Sequence, residues 1–380
     1  MHFAHPGIGH GVEGAFNHDV PLHAPVVPVH EYLPAAEEDQ RAVSTMPYDQ
    51  AQAYLADYER VLAEIIDDVD IVIGHHANLT AIATQRVAQR RGKPFVLFLH
   101  GTGIEPRHSG GYDDRLWEEI RNSIEAADGL LVTTEYVRDQ LVRPLVDVDP
   151  DRFLILPCGV DLEDFRPDAA GGIAASYGLP EKYVICPGAL IAAKGPQNVV
   201  AASKFYSDLA PTIFIGAGEF RPELERRLGA RGRFLGFVPV EDKVRLICGA
   251  AVLAAAPEKK EHFGIIYVEA LAGATVPVAY RGGGVDSVVT PDVGVLTERD
   301  PAALGAAVRE ILSDDARRGE MAAAGRARAE ALYSYPRLVG RLSEWLERLV
   351  TSEFLTSRPP QRAKGHSTPP RKTSRELPRP

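Results

Sequence analysis

The sequence predicts an α/β protein of two doubly wound units, each a parallel sheet covered by helices on both faces, the two facing a common cleft. Three observations predict it. Short, almost continuously apolar runs alternate with helical patterns, as strands buried on both faces require. The alternation restarts after the Gly- and Pro-rich segment CGVDLEDFRPDAAGGIAASYGLP at 158–180. The chain also has 380 residues, more than one ordinary domain of roughly 150.

In the first unit, strands are expected at 70–74, 95–99, 129–133 and 153–157, and helices at 48–67, 79–91 and 113–127. In the second, strands at 183–187, 212–216, 233–238, 250–256, 276–280 and 293–297 interleave with helices at 197–208, 220–230, 302–313 and 315–332. Most strand runs end in Gly, Pro or a polar residue, where the chain must turn: DIVIG, YVICP, TIFIG. A last helix at 336–350 sets Leu338, Leu342, Trp345 and Leu349 on one stripe and is expected to dock back onto the first unit. The expected domains are 1–165 and 166–332, followed by a helical segment at 333–355 and a tail at 356–380. That tail holds six Pro and seven Lys or Arg with almost no apolar side chain, a composition expected to be disordered.

Composition narrows the function. With 45% apolar and 25% charged residues the chain reads as soluble and globular. No apolar run approaches the roughly 18 residues that span a membrane, and no charged-then-apolar leader opens the sequence. Cys158, Cys186 and Cys248 are few and widely spaced, as buried thiols of a reducing compartment would be, so a cytoplasmic location is expected. The net charge is −10; the tail carries +6, leaving −16 for the body, which argues against broad nucleic-acid binding. The basic run QRVAQRRGK (85–93) could touch anionic lipid at the inner membrane face, against the ordinary reading of a solvated helix end.

The most informative motif is APEKKEHFGIIYVEALA (256–272), with Glu261 and Glu269 eight positions apart and Phe263–Gly264 after the first acid. A helix opening at Gly264 would offer unpaired N–H groups and a positive dipole end to a phosphate, and glycine lets the ligand come close. Two acids beside a phosphate suit neighbouring sugar hydroxyls rather than the phosphate itself. The alternative is an electrostatic cap and one solvated helix position. The apolar neighbours Ile265, Ile266, Val268, Ala270 and Leu271 weigh against that, because they bury Glu269 and oblige it to find a partner.

Other turns reach the same sheet edge. In CPGALIAAKGPQNVV, Gly188 permits a tight turn and Lys194 precedes Gly195 and a helix near Pro196, where it could neutralise a diphosphate. Gly216 and Gly218 make a further strand–turn–helix, and Phe237 and Val238 end a later strand. In the first unit, FLHGTGIEPR closes a strand with His100, Gly101 and Gly103; His100 could bond a substrate hydroxyl, or be structural. One match is a decoy. Gly9, Gly11 and Gly14 satisfy G-x-G-x-x-G, but no strand of adequate length precedes them and AFNHDVPLHAP cannot open a helix; this N-terminal segment reads as a loop. It also holds six of the twelve His at irregular spacing, and a metal site is not expected there.

Taken together, these residues over roughly 45–350 resemble the retaining glycosyltransferases of family 4 (glycosyl transferases group 1), with LPCGVDLEDFRP, the Gly188–Leu190–Lys194–Gly195 pattern and the E-x7-E element carrying the likeness. The resemblance implies a GT-B fold of two Rossmann-like domains. It implies a nucleotide-diphospho-sugar donor, an unspecified acceptor, transfer with retention, no metal and no cofactor. Glu261 would bind donor-sugar hydroxyls, Glu269 the ribose diol and Lys194 the diphosphate. Backbone N–H groups around Phe263, Gly264, Ile265 and Ile266 would meet phosphate and sugar. Gly188 and Gly218 would line the donor turn, Phe237 and Val238 the base, and His100 the transferred sugar. Two departures stand out. The family's Arg is replaced by Ala189, with Arg281, Lys259 or Lys260 as candidate substitutes. The first domain also lacks the opening strand, Gly-rich loop and long helix, so exposed apolar surface is expected there. A donor-binding relative without turnover and a nucleotide-sugar epimerase are the alternative functions.

Overall fold

The structure is a computed structural model and describes residues 1–6, 11–23, 27–29 and 40–351. Two small parallel pairs come first: β1 (His2–His5) with β2 (Phe16–Asp19), and β3 (Val27–Val29) with β4 (Gln40–Ala42). The N-terminal segment is therefore not simply a loop: His2–His5 and Phe16–Asp19 run extended side by side. After Gly14 the chain enters β2, so no helix opens behind the glycines, and Gly9 lies outside the described residues.

The first main sheet is β5 (Val72–His75), β6 (Phe95–Leu99), β7 (Gly129–Val132) and β8 (Phe153–Ile155), in that order and all parallel. Successive residues point to opposite faces, and both faces are used. Leu97, Leu99, Leu130 and Val132 enter a core with the helices Tyr48–Ile65, Leu79–Arg91 and Asp114–Ala126. Val96, Leu131 and Leu156 instead meet Leu338, Trp345 and Leu349 of the final helix, Tyr335–Val350. The stripe read from sequence thus docks on the first sheet. Exposed large apolar side chains described before residue 200 are Met1, Val12 and Phe16. They sit on the N-terminal segment of the first domain rather than on its main sheet.

The second sheet runs β11-β10-β9-β12-β13-β14, all parallel, from β9 (Val184–Pro187), β10 (Thr212–Ile215), β11 (Gly232–Gly236), β12 (Val252–Ala255), β13 (Val276–Tyr280) and β14 (Val295–Thr297). Strand order reverses between β9 and β12. In an open parallel sheet that switch point leaves a crevice beyond the carboxyl ends, because the connections on either side depart in opposite directions.

The chain passes between the halves twice, and the crossings pair: Val160 N–H donates to Tyr333 O at 2.9 Å, and Val160 bridges Ser334. The segment 158–180 contains a 3-10 turn at Pro167–Ala170 and a helical turn at Ile173–Ser176. Several boundaries move. The helix expected at 197–208 is Pro196–Ala202 followed by a 3-10 turn, with proline at the first position, where its missing N–H costs nothing. The strand expected at 233–238 ends at Gly236, which leaves Phe237 and Val238 in the loop beyond it. The tail 356–380 lies outside the described residues.

Candidate active site

The switch point brings together the loops that follow β9 and β12. Gly195, after β9, has φ +64°, and a Cβ there would lie 1.8 Å from Ala256 O at the end of β12. Only glycine permits that approach, and it sets Lys194 against the loop carrying Glu261. Lys194 Nζ and Glu261 Oε1 are 3.0 Å apart, with the lysine side chain about half exposed. The two residues read from sequence as phosphate cation and sugar acid are thus one ion pair at the crevice mouth.

Helix Ile265–Ala272 begins behind them. Its N-cap is Gly264 at φ +88°, and no side chain caps it, which leaves its first N–H groups without a side-chain acceptor. Phe263 is buried and packs edge-on against Tyr333, so only its backbone could meet a ligand there, while Ile265 is half exposed. Glu269 lies one face deeper and is buried. Lys243 Nζ holds its Oε1 at 2.7 Å, whereas Oε2 is buried with no partner among the described residues. A buried carboxylate oxygen left unpaired is costly, so an O–H or N–H donor that reaches it is favoured.

The remaining expected residues line the same edge. Gly188 (φ +142°) closes β9 and donates its N–H to Ile215 O, while Gly218 packs on the backbone of Leu190 and so has a structural reason to be glycine. Phe237 is 87% exposed, an aromatic face open to solvent, with Val238 partly buried beneath the rim. Of the cations that could stand in for the Arg absent at Ala189, Arg281 pairs with Glu298 and Lys259 with Glu105. Lys260 is exposed, lies along Gly282 and has no ion pair or hydrogen bond among the described residues.

The first sheet contributes imidazoles. His100 Nε2 lies 3.0 Å from His75 Nδ1, and the ring stacks on Phe98 with His76 beside it. Desolvation lowers the His75 pKa, which favours the neutral form of that ring. Gly101, next to His100, touches the ring of His262, so the end of β6 meets the Glu261 loop directly.

Three residues at this junction, Glu105, Thr134 and His262, were not singled out from sequence: each is an ordinary polar residue whose partner lies over a hundred positions away. Lys243, whose partner Glu269 lies 26 positions away on another helix, was not singled out either. The cations of 85–93 are all engaged within the chain, Arg86 with Glu59 and Glu119, Arg90 with Glu59, Arg91 with Asp67 and Lys93 with Val69 O. Among the described residues, no helix is long and apolar enough to cross a membrane.

Two facing parallel-sheet units with a switch-point crevice between them define the architecture as GT-B-like. The fold is shared with HepE of Anabaena, solved in complex with UDP: TM-score 0.68 at 18% identity, covering 81% of this chain and 86% of that one. Residues 175–328 match the family model described as glycosyl transferases group 1, and residues 15–164 that of glycosyltransferase family 4. The chain belongs to this glycosyltransferase family. Among curated relatives, the D-inositol 3-phosphate glycosyltransferase of Xylanimonas cellulosilytica is 34% identical over 223 residues, 54% of this chain and 53% of that protein. The alignment thus spans about half that relative's length. The alpha-maltose-1-phosphate synthase of Mycolicibacterium smegmatis is 28% identical over 305 residues, 72% of this chain and 78% of that one.

Proposed function

We propose that the chain is a retaining, metal-independent glycosyltransferase that moves a sugar from a nucleoside-diphosphate donor to an acceptor hydroxyl. The observation that carries it is the pairing within the E-x7-E element: Glu261 held at the crevice mouth by Lys194, and Glu269 held inside by Lys243 with one oxygen unpaired. A donor enters in that order. Its ribose diol satisfies Glu269, its base lies against Phe237 and Val238, and its diphosphate meets the N–H groups at Gly264–Ile266 and draws Lys194. Its sugar hydroxyls then take the Glu261 carboxylate that Lys194 releases. As the bond from sugar to diphosphate breaks and the acceptor oxygen replaces it, the acceptor's proton passes to the departing diphosphate oxygen, and the charge left on the diphosphate falls on preorganised donors, which is electrostatic catalysis. Lys260 supplies the second cation that Ala189 does not. His100 faces the transferred sugar from the first half.

The domains divide at 165 and 332, the segment 333–355 closing on the first half. A cytoplasmic location fits the three free thiols, Cys158, Cys186 and Cys248. The engagement of the 85–93 cations argues against a basic lipid patch in that run. Both curated relatives are named for phosphorylated compounds, so inositol 3-phosphate belongs in the acceptor panel. Thermal melting with UDP-, GDP- and ADP-sugars tests the donor, because a ligand bound only by the folded state raises the melting temperature. Release of nucleoside diphosphate with each acceptor then tests transfer. Stabilisation without release under any acceptor would favour a binding protein, and no stabilisation by any donor would remove the proposal.

A further inference from the structure

The loop that carries Glu261 is gripped by the first half chiefly at His262. Its Nε2 lies 2.9 Å from Glu105 Oε2, and its backbone carbonyl accepts from Thr134 Oγ1 at 2.8 Å. Its ring lies over Gly101, where a Cβ would come within 2.6 Å of the imidazole Cγ. Lys259, on the same loop, adds a second contact, its Nζ 2.8 Å from Glu105 Oε2. Glu105 opens the short helix Glu105–His108 after β6, and Thr134 follows β7. Two strand ends of the first half therefore converge on one loop of the second. The side chains of Glu105 and His262 are 17% and 14% exposed, so their contact is sheltered from water.

We infer that His262 is a positioning residue: through Glu105 it seats the Glu261 loop against the first half and holds the two halves in one register across the cleft. The contact differs in kind from the Lys194–Glu261 and Lys243–Glu269 pairs, whose partners both lie in the second half. It breaks only if the halves move apart, and then Glu105 loses His262 and Lys259 together. The paired crossings at Val160 and Ser334 tie the halves at a different place, so the two ties together define a relative orientation that neither defines alone. The consequence for turnover rests on the donor role proposed for Glu261, whereas the consequence for geometry does not.

The test uses the full chain carrying Cys158→Ser, with nitroxide labels at Glu64→Cys in the first half and Arg226→Cys in the second, both exposed positions. His262→Ala and Glu105→Ala are each expected to broaden the inter-label distance distribution and shift its mean, and the double variant to go no further than the larger single effect. Glu105→Gln keeps an acceptor for His262 and is expected to recover most of the parent distribution. Lys194→Ala, whose partner lies in its own half, is expected to leave the distribution unchanged. An unchanged distribution in His262→Ala or in Glu105→Ala overturns the inference. Failure of Glu105→Gln to recover assigns the contact to Lys259 and overturns the role of His262. In parallel, His262→Ala is expected to change the affinity for UDP, GDP or ADP by less than about twofold, because the nucleotide contacts lie in the second half. If the parent binds none of the three, the donor reading fails while the distances still decide the clasp.

Discussion

The two Lys–Glu pairs of the second half use the same residue types, and their acids stand eight positions apart, yet their settings differ. Lys194–Glu261 sits at the crevice mouth with its lysine 49% and its carboxylate 22% exposed, whereas Lys243–Glu269 lies deeper, at 34% and 11%. In water, Coulomb attraction is weak and the entropy of two long side chains opposes it, so the outer pair contributes little to stability and exchanges partners readily. In the interior an unpaired carboxylate is costly, so the inner pair fixes its acid in place. An exchangeable acid suits a group that must follow a reacting sugar, and a fixed one suits a handle on an unreacting ribose.

The sharpest way to break that contrast is Glu261→Ala. Nucleoside-diphosphate release is expected to fall by about 100- to 1000-fold in kcat/KM, with the melting temperature unmoved. Loss of melting temperature instead would make Glu261 a structural residue. Glu269→Ala is expected to weaken UDP, GDP or ADP binding by about 10- to 100-fold, the worth of hydrogen bonds to a charged group. A nucleotide lacking both ribose hydroxyls should bind parent and variant alike, and a difference between them would move the ribose elsewhere. Phe237→Ala removes an exposed ring with no burial to lose. Calorimetry should report about tenfold weaker nucleotide binding, as expected for a lost stacking platform, and no change in stability. The smallest effect separates the pairs directly by denaturant unfolding. Lys243→Met, which strands the buried carboxylate, is expected to cost about 1–3 kcal/mol, and Lys194→Met under about 1 kcal/mol. Equal costs would mean that both acids do the same work.

Much of the second half was legible because its signals are local. Apolar runs mark β9, β10, β12 and β13, and Gly195 and Gly264 mark turns that their neighbours in sequence announce. The apolar helix around Glu269 called for a partner, but not for Lys243 in particular, since the two stand 26 positions apart on different helices. The N-terminal ribbon was misread as a loop because β1 and β2 are only four residues each and neither has a clear apolar alternation. Phe237 was expected within a strand, and the glycine before it, at φ +80°, ends the ladder one residue earlier.

By itself the sequence determined the two sheets, their helical cover and the residue types at the second sheet's edge, because periodicity and turn chemistry act over a few residues. Only the tertiary structure decided that Lys194 meets Glu261, that one oxygen of Glu269 is left inside without a partner, and that His262 reaches Glu105. Those facts depend on where β12 lies beside β9 and on how one half sits against the other. Such distances are set by packing across the whole chain, and no window of neighbouring residues carries them.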